Sequence, residues 1–371
     1  MPSFVTHIYC KVVDNWGDAG VCWRLSRYLA LQSATVTLWI DQPGVLSQLK
    51  VTPQVAVECG ITVRQWTESE SRTSSHTRAH APDLIITAFG CDLPAPVQAA
   101  IAEEHPQQTL WINLEYLSAE PWVETHHGLP SVKADGTRQI YFMPGFTTKT
   151  AGLLGPEPQR VNALQLANQL GIQKNHPAQR IASLFAYADA PLSALQNIAE
   201  PWQLLVPTAI ELSELAALEG HAHIEIKRLP TLSQAEYDAL LSVCDLNFVR
   251  GEDSWVRAQW AAKPFIWQPY RQAEQLHIAK LDAFLDKVQT YGFNGTNAHS
   301  WCKTWREANQ AWSRNAPATA LTALMNQSQQ QWQQFSEPFT VWRNHLARQT
   351  ELSTGIVEYL NAHQRPQKQQ N

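Results

Sequence analysis

Short runs of apolar, β-branched and aromatic residues alternate with helix-periodic stretches along this chain, and the alternation occurs twice. In the first half, Val5–Val13, Thr35–Ile40, Leu84–Phe89, Leu110–Leu117 and Gln139–Phe146 read as strands. Asp18–Leu31, where Val21, Leu25, Tyr28 and Leu29 recur at helical spacing, reads as the first helix. Around Pro144–Arg160, three Gly and three Pro interrupt the pattern. It then restarts with Arg180–Tyr187, Trp202–Val206, His223–Leu229, Leu246–Arg250 and Lys263–Gln268. Strands separated by helices form βαβ units, which build mostly parallel sheets. The expected architecture is therefore α/β, with two successive doubly wound domains over residues 1–155 and 156–338. Each would bind ligand at the carboxyl ends of its strands. A long helix over 339–363 is expected to cross back onto the first domain, and 364–371 to form a disordered tail. Thr67–Pro82 is polar and Ser/Thr-rich, a surface loop by composition.

Composition narrows the class. A chain of 371 residues suits two domains with sizeable cores. The apolar fraction of 44% excludes disorder over most of the length. A net charge of -5, with scattered Lys and Arg, lacks the footprint of a sequence-independent nucleic-acid binder. Cys10, Cys22, Cys59, Cys91, Cys244 and Cys302 are far apart and form no Cys-x-x-Cys pair, so they read as reduced, mostly buried thiols. The N-terminus shows neither a basic leader nor a cleavage site, and no apolar run approaches the ~18 residues of a membrane span. A soluble, cytoplasmic protein is the expectation.

The first candidate site is Lys11-Val-Val-Asp14-Asn15-Trp16-Gly17-Asp18-Ala19-Gly20, where the first strand turns into the first helix. The glycines let backbone approach a ligand, and the helix N-terminus adds a positive dipole. Such a loop suits a sugar or a phosphate, and equally a cationic group held between Asp14 and Asp18. The bland alternative is that Asp14 or Asp18 merely caps the helix. It is neither a dinucleotide fingerprint nor a P-loop.

The second is Asn247–Ala258, another strand-to-helix turn, with Arg250, Gly251, Glu252, Asp253 and Ser254 at its centre. Arg250 and the backbone N–H groups suit a diphosphate, with Asp253 or Ser254 as the expected N-cap. Its bland alternative is a capped helix with an Arg–Glu surface pair worth about 0.5 kcal/mol. His126-His127 and His221-Ala-His223 lack further ligands at metal spacing. Trp301, Trp305 and Trp312 fall at helical spacing and read as core.

Three long segments carry a resemblance: Lys11-Val-Val-Asp-Asn-Trp-Gly-Asp-Ala-Gly-Val-Cys-Trp-Arg-Leu, Asn113-Leu-Glu-Tyr-Leu-Ser-Ala-Glu120, and Asn247-Phe-Val-Arg-Gly-Glu-Asp-Ser-Trp-Val-Arg-Ala-Gln-Trp260. They closely resemble the protein-arginine rhamnosyltransferases that modify translation elongation factor P, and the likeness covers nearly the whole chain. It implies a GT-B glycosyltransferase, two Rossmann-like domains facing a cleft, with the nucleotide sugar bound mainly by the second. It also implies dTDP-β-L-rhamnose as donor and one arginine of elongation factor P as acceptor. Inversion without a metal or other cofactor follows from the same resemblance, as does activation of that factor for relief of ribosome stalling at polyproline.

The resemblance assigns Asp18 the role of general base, with Asp14 beside it, and makes Glu252 the essential glutamate. Three roles stand open for Glu252: binding ribose, shaping the loop, or holding the arginine. Asp253 and Ser254 lie at the diphosphate, Gln234 contacts the base, and Tyr187 and Tyr270 line the nucleotide site. Asn15, Trp16 and Gly17 complete the first loop, and Arg250 and Gly251 the second, as substrate-binding residues. One position departs from the family. Thr231 stands where relatives tend to carry an aromatic that stacks on thymine, so stacking weakens or comes from Phe185 or Tyr187. Trp16 and Trp255 replace Phe conservatively. The acidic Glu115–Glu124 region is the expected docking face for the partner.

Overall fold

The computed structural model describes residues 4–66, 82–104, 109–133, 136–158, 161–296, 299–314 and 319–368. The expected polar loop at 67–82 lies, Pro82 apart, outside them. The chain divides into two compact units: Met1–Gly155 with Gln349–Asn371, and Pro156–Arg348.

In the first unit the strands are β1 (Phe4–Cys10), β2 (Ala34–Ile40), β3 (Ile61–Gln65), β4 (Leu84–Ala88), β5 (Leu110–Leu114), β6 (Pro130–Val132) and β7 (Arg138–Phe142). They form one sheet in the order β3-β2-β1-β4-β5-β7-β6. All pairings are parallel except β6 with β7. Every residue of β4 and β5 is buried, as a parallel strand covered on both faces requires. The first run is shorter than its composition suggested: β1 ends at Cys10, and Val13 is 59% exposed in the loop beyond. The edge strands β3 and β6 were not anticipated. Only Ile61 of β3 is buried and β6 has three residues, too little for a hydrophobic pattern.

The long helix expected over 339–363 is two helices. Gln329–Leu346 stays in the second unit, and only Leu352–Lys368 joins the first. There Leu352, Ile356, Val357 and Leu360 pack in one core with Ile8, Leu25, Leu29 and Leu38. The tail expected to be disordered from 364 is helical through Lys368, and 369–371 lie outside the described residues.

The returning segment is seated on the Gly- and Pro-rich stretch. Leu352 N–H donates to the Leu153 carbonyl at 2.9 Å, and Tyr28 hydroxyl to the Gly155 carbonyl at 2.6 Å. Gly152 sits at φ +69°, and a Cβ there would lie 2.0 Å from the Thr350 carbonyl oxygen. Backbone cannot yield as a side chain can. Gly152→Ala is therefore expected to destabilise the protein by on the order of 3 kcal/mol, read as a lowered midpoint of denaturant unfolding.

In the second unit β8 (Arg180–Leu184), β9 (Trp202–Pro207), β10 (Ile224–Leu229), β11 (Leu246–Arg250) and β12 (Phe265–Gln268) form an all-parallel sheet in the order β10-β9-β8-β11-β12. Trp305 and Trp312 are fully buried and Trp301 is half-buried. Four buried indoles also act as struts, each giving its N–H to an acceptor. Trp202 donates to the Met325 carbonyl, Trp305 to Phe265, Trp267 to Gly251 and Trp342 to the Gln259 side chain, all within 3.1 Å. In both sheets the strand order reverses beside the first strand, between β1 and β4 and between β8 and β11. The two candidate loops leave the carboxyl ends of β1 and β11, at these switch points, where open α/β sheets bind ligands.

Candidate active site

The first helix, Asn15–Leu31, starts three residues earlier than its periodicity suggested, so Asp18 lies inside its first turn. Asp14 occupies the N-cap position, yet its side chain makes no capping hydrogen bond. Asp18 does not cap the helix either. Its carboxylate turns back onto the loop, where Oδ2 accepts the N–H groups of Val13 and Asp14, both at 2.8 Å. The Tyr116 hydroxyl donates to the same carboxylate. Asp18 is 2% exposed. Burial pushes its pKa above the ordinary aspartate value, the three hydrogen bonds pull against that, and nearby Asp41 adds to the rise. The net result is a buried carboxylate more basic than a surface aspartate, suited to accept a proton.

Gly17 leaves room for the neighbouring Asp14 carboxylate. A Cβ at this position would approach Asp14 Oδ2 to 2.8 Å, and the Gly17 N–H donates to the Asp14 carbonyl at 2.6 Å. Asp14 is half-buried, so its carboxylate lies over the helix entry. Trp16 packs its indole against the core and donates its N–H to Gln48. Asn15 opens the helix, but its side chain lies outside the described residues.

In the second unit, β11 delivers Arg250 to the sheet edge. Its guanidinium lies over Phe185 and Tyr187, 4.6 and 4.7 Å from the ring centroids, and donates to the Ala186 carbonyl at 3.2 Å. Gly251 follows at φ +57°, where glycine is favoured, and its carbonyl accepts Trp267 Nε1–H at 2.7 Å. Trp267 stacks on Trp255 at 3.6 Å, a rigid floor under the turn. The helix Asp253–Ala261 is preceded by Glu252 at the N-cap, with no side-chain cap. The expected capping by Asp253 or Ser254 is thus not what occurs. Ser254 Oγ accepts the Arg250 N–H and donates to its carbonyl, bracing the turn. Glu252 faces Lys280 at 3.8 Å.

Gln234 opens its helix behind a Ser233–Glu236 capping box and donates to Asp253 Oδ2 at 3.2 Å. Tyr187 gives its N–H to Gln268 Oε1 at 2.9 Å and meets Tyr270 edge-on at 6.1 Å. Gln234, Arg250–Ser254, Tyr187 and Tyr270 therefore share the carboxyl edge of one sheet. Asp14–Asp18 share that of the other.

Sequence reasoning passed over Tyr116, Asp41, Gln268 and Lys280. Tyr116 stood inside a quoted motif, but no spacing links it to Asp18. In the Glu115–Glu124 stretch, Glu115 accepts from Asn113, Glu120 from Ser118, and Glu124 faces Lys149. The paired histidines have local partners: His127 Nδ1 accepts Met143 N–H, and His221 Nδ1 accepts His223 N–H. Among the described residues no group of three or more His, Cys, Asp or Glu could hold a metal ion. All six cysteines are free thiols.

The family model described as Elongation-Factor P (EF-P) rhamnosyltransferase EarP matches residues 6–361. The chain belongs to that family. It is similar to the protein-arginine rhamnosyltransferase of Pseudomonas aeruginosa, with 34% identity across 95% of this chain and 97% of the relative. The Neisseria meningitidis serogroup B enzyme of the same name is 31% identical across 98% and 99%. A solved structure concerned with EarP-mediated arginine glycosylation of translation elongation factor EF-P superposes with a TM-score of 0.58 at 25% identity, covering 97% of this chain and 99% of that one. A glycosyltransferase of Rickettsia africae shares the fold at TM-score 0.53 and 10% identity, covering 98% and 99%. The fold is of GT-B type, and the chain is an enzyme of the glycosyltransferase class.

A carboxylate buried in this way weakens the fold that holds it. Because the folded-state pKa of Asp18 is raised, its favourable contribution is present at low pH and lost as pH rises through that pKa. Asp18→Asn is therefore expected to raise Tm at neutral pH. The gain should vanish below the ordinary value of 3.8, where the native carboxyl is protonated in both states. Thermal melts of both proteins across pH check this.

Proposed function

We propose that this chain transfers L-rhamnose from dTDP-β-L-rhamnose to one arginine side chain of translation elongation factor P, with inversion and without a metal. The observation that carries the reading is Asp18, buried and held by two loop amides beside Asp14. A guanidinium has a pKa above ~12 and delocalised lone pairs, so attack needs a base that removes a proton as the bond forms. Asp14 and Asp18 hold the cation by charge-assisted hydrogen bonds. Asp18 takes one N–H proton while the nitrogen electron pair forms the bond to the anomeric carbon. The carbon–oxygen bond to the diphosphate breaks on the opposite face, and its electron pair leaves on the diphosphate oxygen.

The leaving charge is met by Arg250, by the backbone N–H groups of Glu252, Asp253 and Ser254, and by the dipole of the helix Asp253–Ala261, the Gly251 N–H being given to the Gln268 carbonyl at 3.1 Å. Support comes from the way that turn is braced by Ser254, Trp267 and the Trp255 stack. Gln234 contacts the base, and Tyr187 with half-exposed Tyr270 lines the nucleotide site. Of the roles open to Glu252, shaping the loop has structural support, since it faces Lys280 from the N-cap position. A translation factor as acceptor places the reaction in the cytoplasm. Among the described residues no helix is long and apolar enough to cross a membrane.

Mass spectrometry of elongation factor P, incubated with the enzyme and dTDP-rhamnose, should show one added rhamnose on an arginine-containing peptide. Asp18→Asn should lower turnover at least about 100-fold while donor affinity, measured by calorimetry, survives. Near-normal turnover of that variant eliminates Asp18 as the base. Transfer should also be unaffected by a chelator, whereas its loss on chelation and return with added divalent ion contradicts the metal-free reading.

A further inference from the structure

Two of the three hydrogen bonds on Asp18 come from its own loop, but the third comes from a different strand end. Tyr116 lies two residues beyond β5 and is half-buried. Its ring stacks on Phe89 with centroids 4.4 Å apart and an interplanar angle of 14°. Phe89 directly follows β4 and has φ +61°, a conformation that bulky residues rarely adopt. It is pinned there by its N–H, which donates to the carbonyl of Leu114, the last residue of β5, at 2.7 Å. Glycine would occupy this backbone conformation without strain, and Gly90, the next residue, does so at φ +70°. A phenylalanine held in this form places an aromatic face against Tyr116 that glycine lacks. Strain of this kind at a ligand-binding sheet edge is a mark of pre-organisation.

We infer that Tyr116 is a positioning residue for Asp18, and that Phe89 fixes Tyr116 by stacking from the switch-point strand β4. This rests on the reading of Asp18 as the base. The phenol O–H has one donor, and giving it to Asp18 fixes the direction in which the carboxylate faces. The same bond favours the ionised carboxylate, offsetting part of the effect of burial. Charged or titratable groups near Asp18 include Asp14 on its own loop, Asp41 after β2 and Cys22 one helical turn on, with Cys10 against Cys22. Asp41 disfavours its ionised form, and the Tyr116 hydroxyl works in the opposite direction.

The test is the pH dependence of rhamnosyl transfer at saturating donor for the native enzyme, Tyr116→Phe and Phe89→Ala, with Asp18→Asn alongside. Tyr116→Phe keeps the ring and its stack but removes the donor. Its kcat should fall on the order of tenfold with donor KM unchanged. The acidic limb should move to higher pH, because a bond favouring ionised Asp18 is gone. Phe89→Ala keeps the hydroxyl but frees its orientation, so the same limb should move the same way by less. It carries the test if Tyr116→Phe proves poorly folded in a thermal melt. An acidic limb unmoved in both variants overturns the inference, even if kcat drops uniformly. Retained turnover in Asp18→Asn is a separate failure, that of the base itself.

Discussion

A carboxylate buried at the carboxyl end of a parallel strand survives there only if hydrogen-bond donors replace the water it has lost. Asp18 is in that position, and much of the first unit can be read as the means of supplying those donors. β1 stops at Cys10 so that the loop beyond it can aim the amides of Val13 and Asp14 at one oxygen. Gly17 admits the Asp14 carboxylate over the helix entry, where a Cβ would stand 2.8 Å from its oxygen. Burial and amide donation oppose each other in setting the basicity of Asp18, and burial prevails.

The second unit solves the opposite electrostatic problem with the same topology. Its switch-point loop presents a cation and a helix N-terminus in place of paired carboxylates. The Arg250 guanidinium is held over two aromatic rings, and the turn after it is braced by Ser254 and by the indole of Trp267. A net charge of -5 therefore says little about either site. What matters is the sorting of charge by loop, carboxylates in the first and a cation with backbone N–H groups in the second, as the proposed cationic acceptor and anionic leaving group would require.

Much of this was legible in the sequence, for identifiable reasons. Buried parallel strands such as Leu84–Ala88 and Leu246–Arg250 are continuous apolar runs bounded by polar turns, so periodicity finds them. β3 escaped because only Ile61 of its five residues is buried, and β6 because three residues carry no period. The final helical stretch was misjudged because Gln329–Leu346 and Leu352–Lys368 are separated by only five residues. Nothing local shows that the chain changes units there. Both loops were identifiable from residue type, but their internal bonding was not. Asp14 and Ser254 looked like helix caps, whereas neither caps and Ser254 instead clasps Arg250. Tyr116 reaches Asp18 only because β5 lies two strands from β1 in the sheet, a fact of topology that no sequence spacing encodes.

In the proposed reaction Asp18 removes the proton from the attacking nitrogen, and chemical rescue tests this most directly. Asp18→Ala opens a small space where the carboxylate stood, and formate is the carboxylate that fits it. Rhamnose transfer to elongation factor P should be lost in this variant and return in proportion to added formate. Formamide, its neutral counterpart of the same size, should restore nothing. Transfer by Asp18→Ala at the native rate without formate would contradict the account.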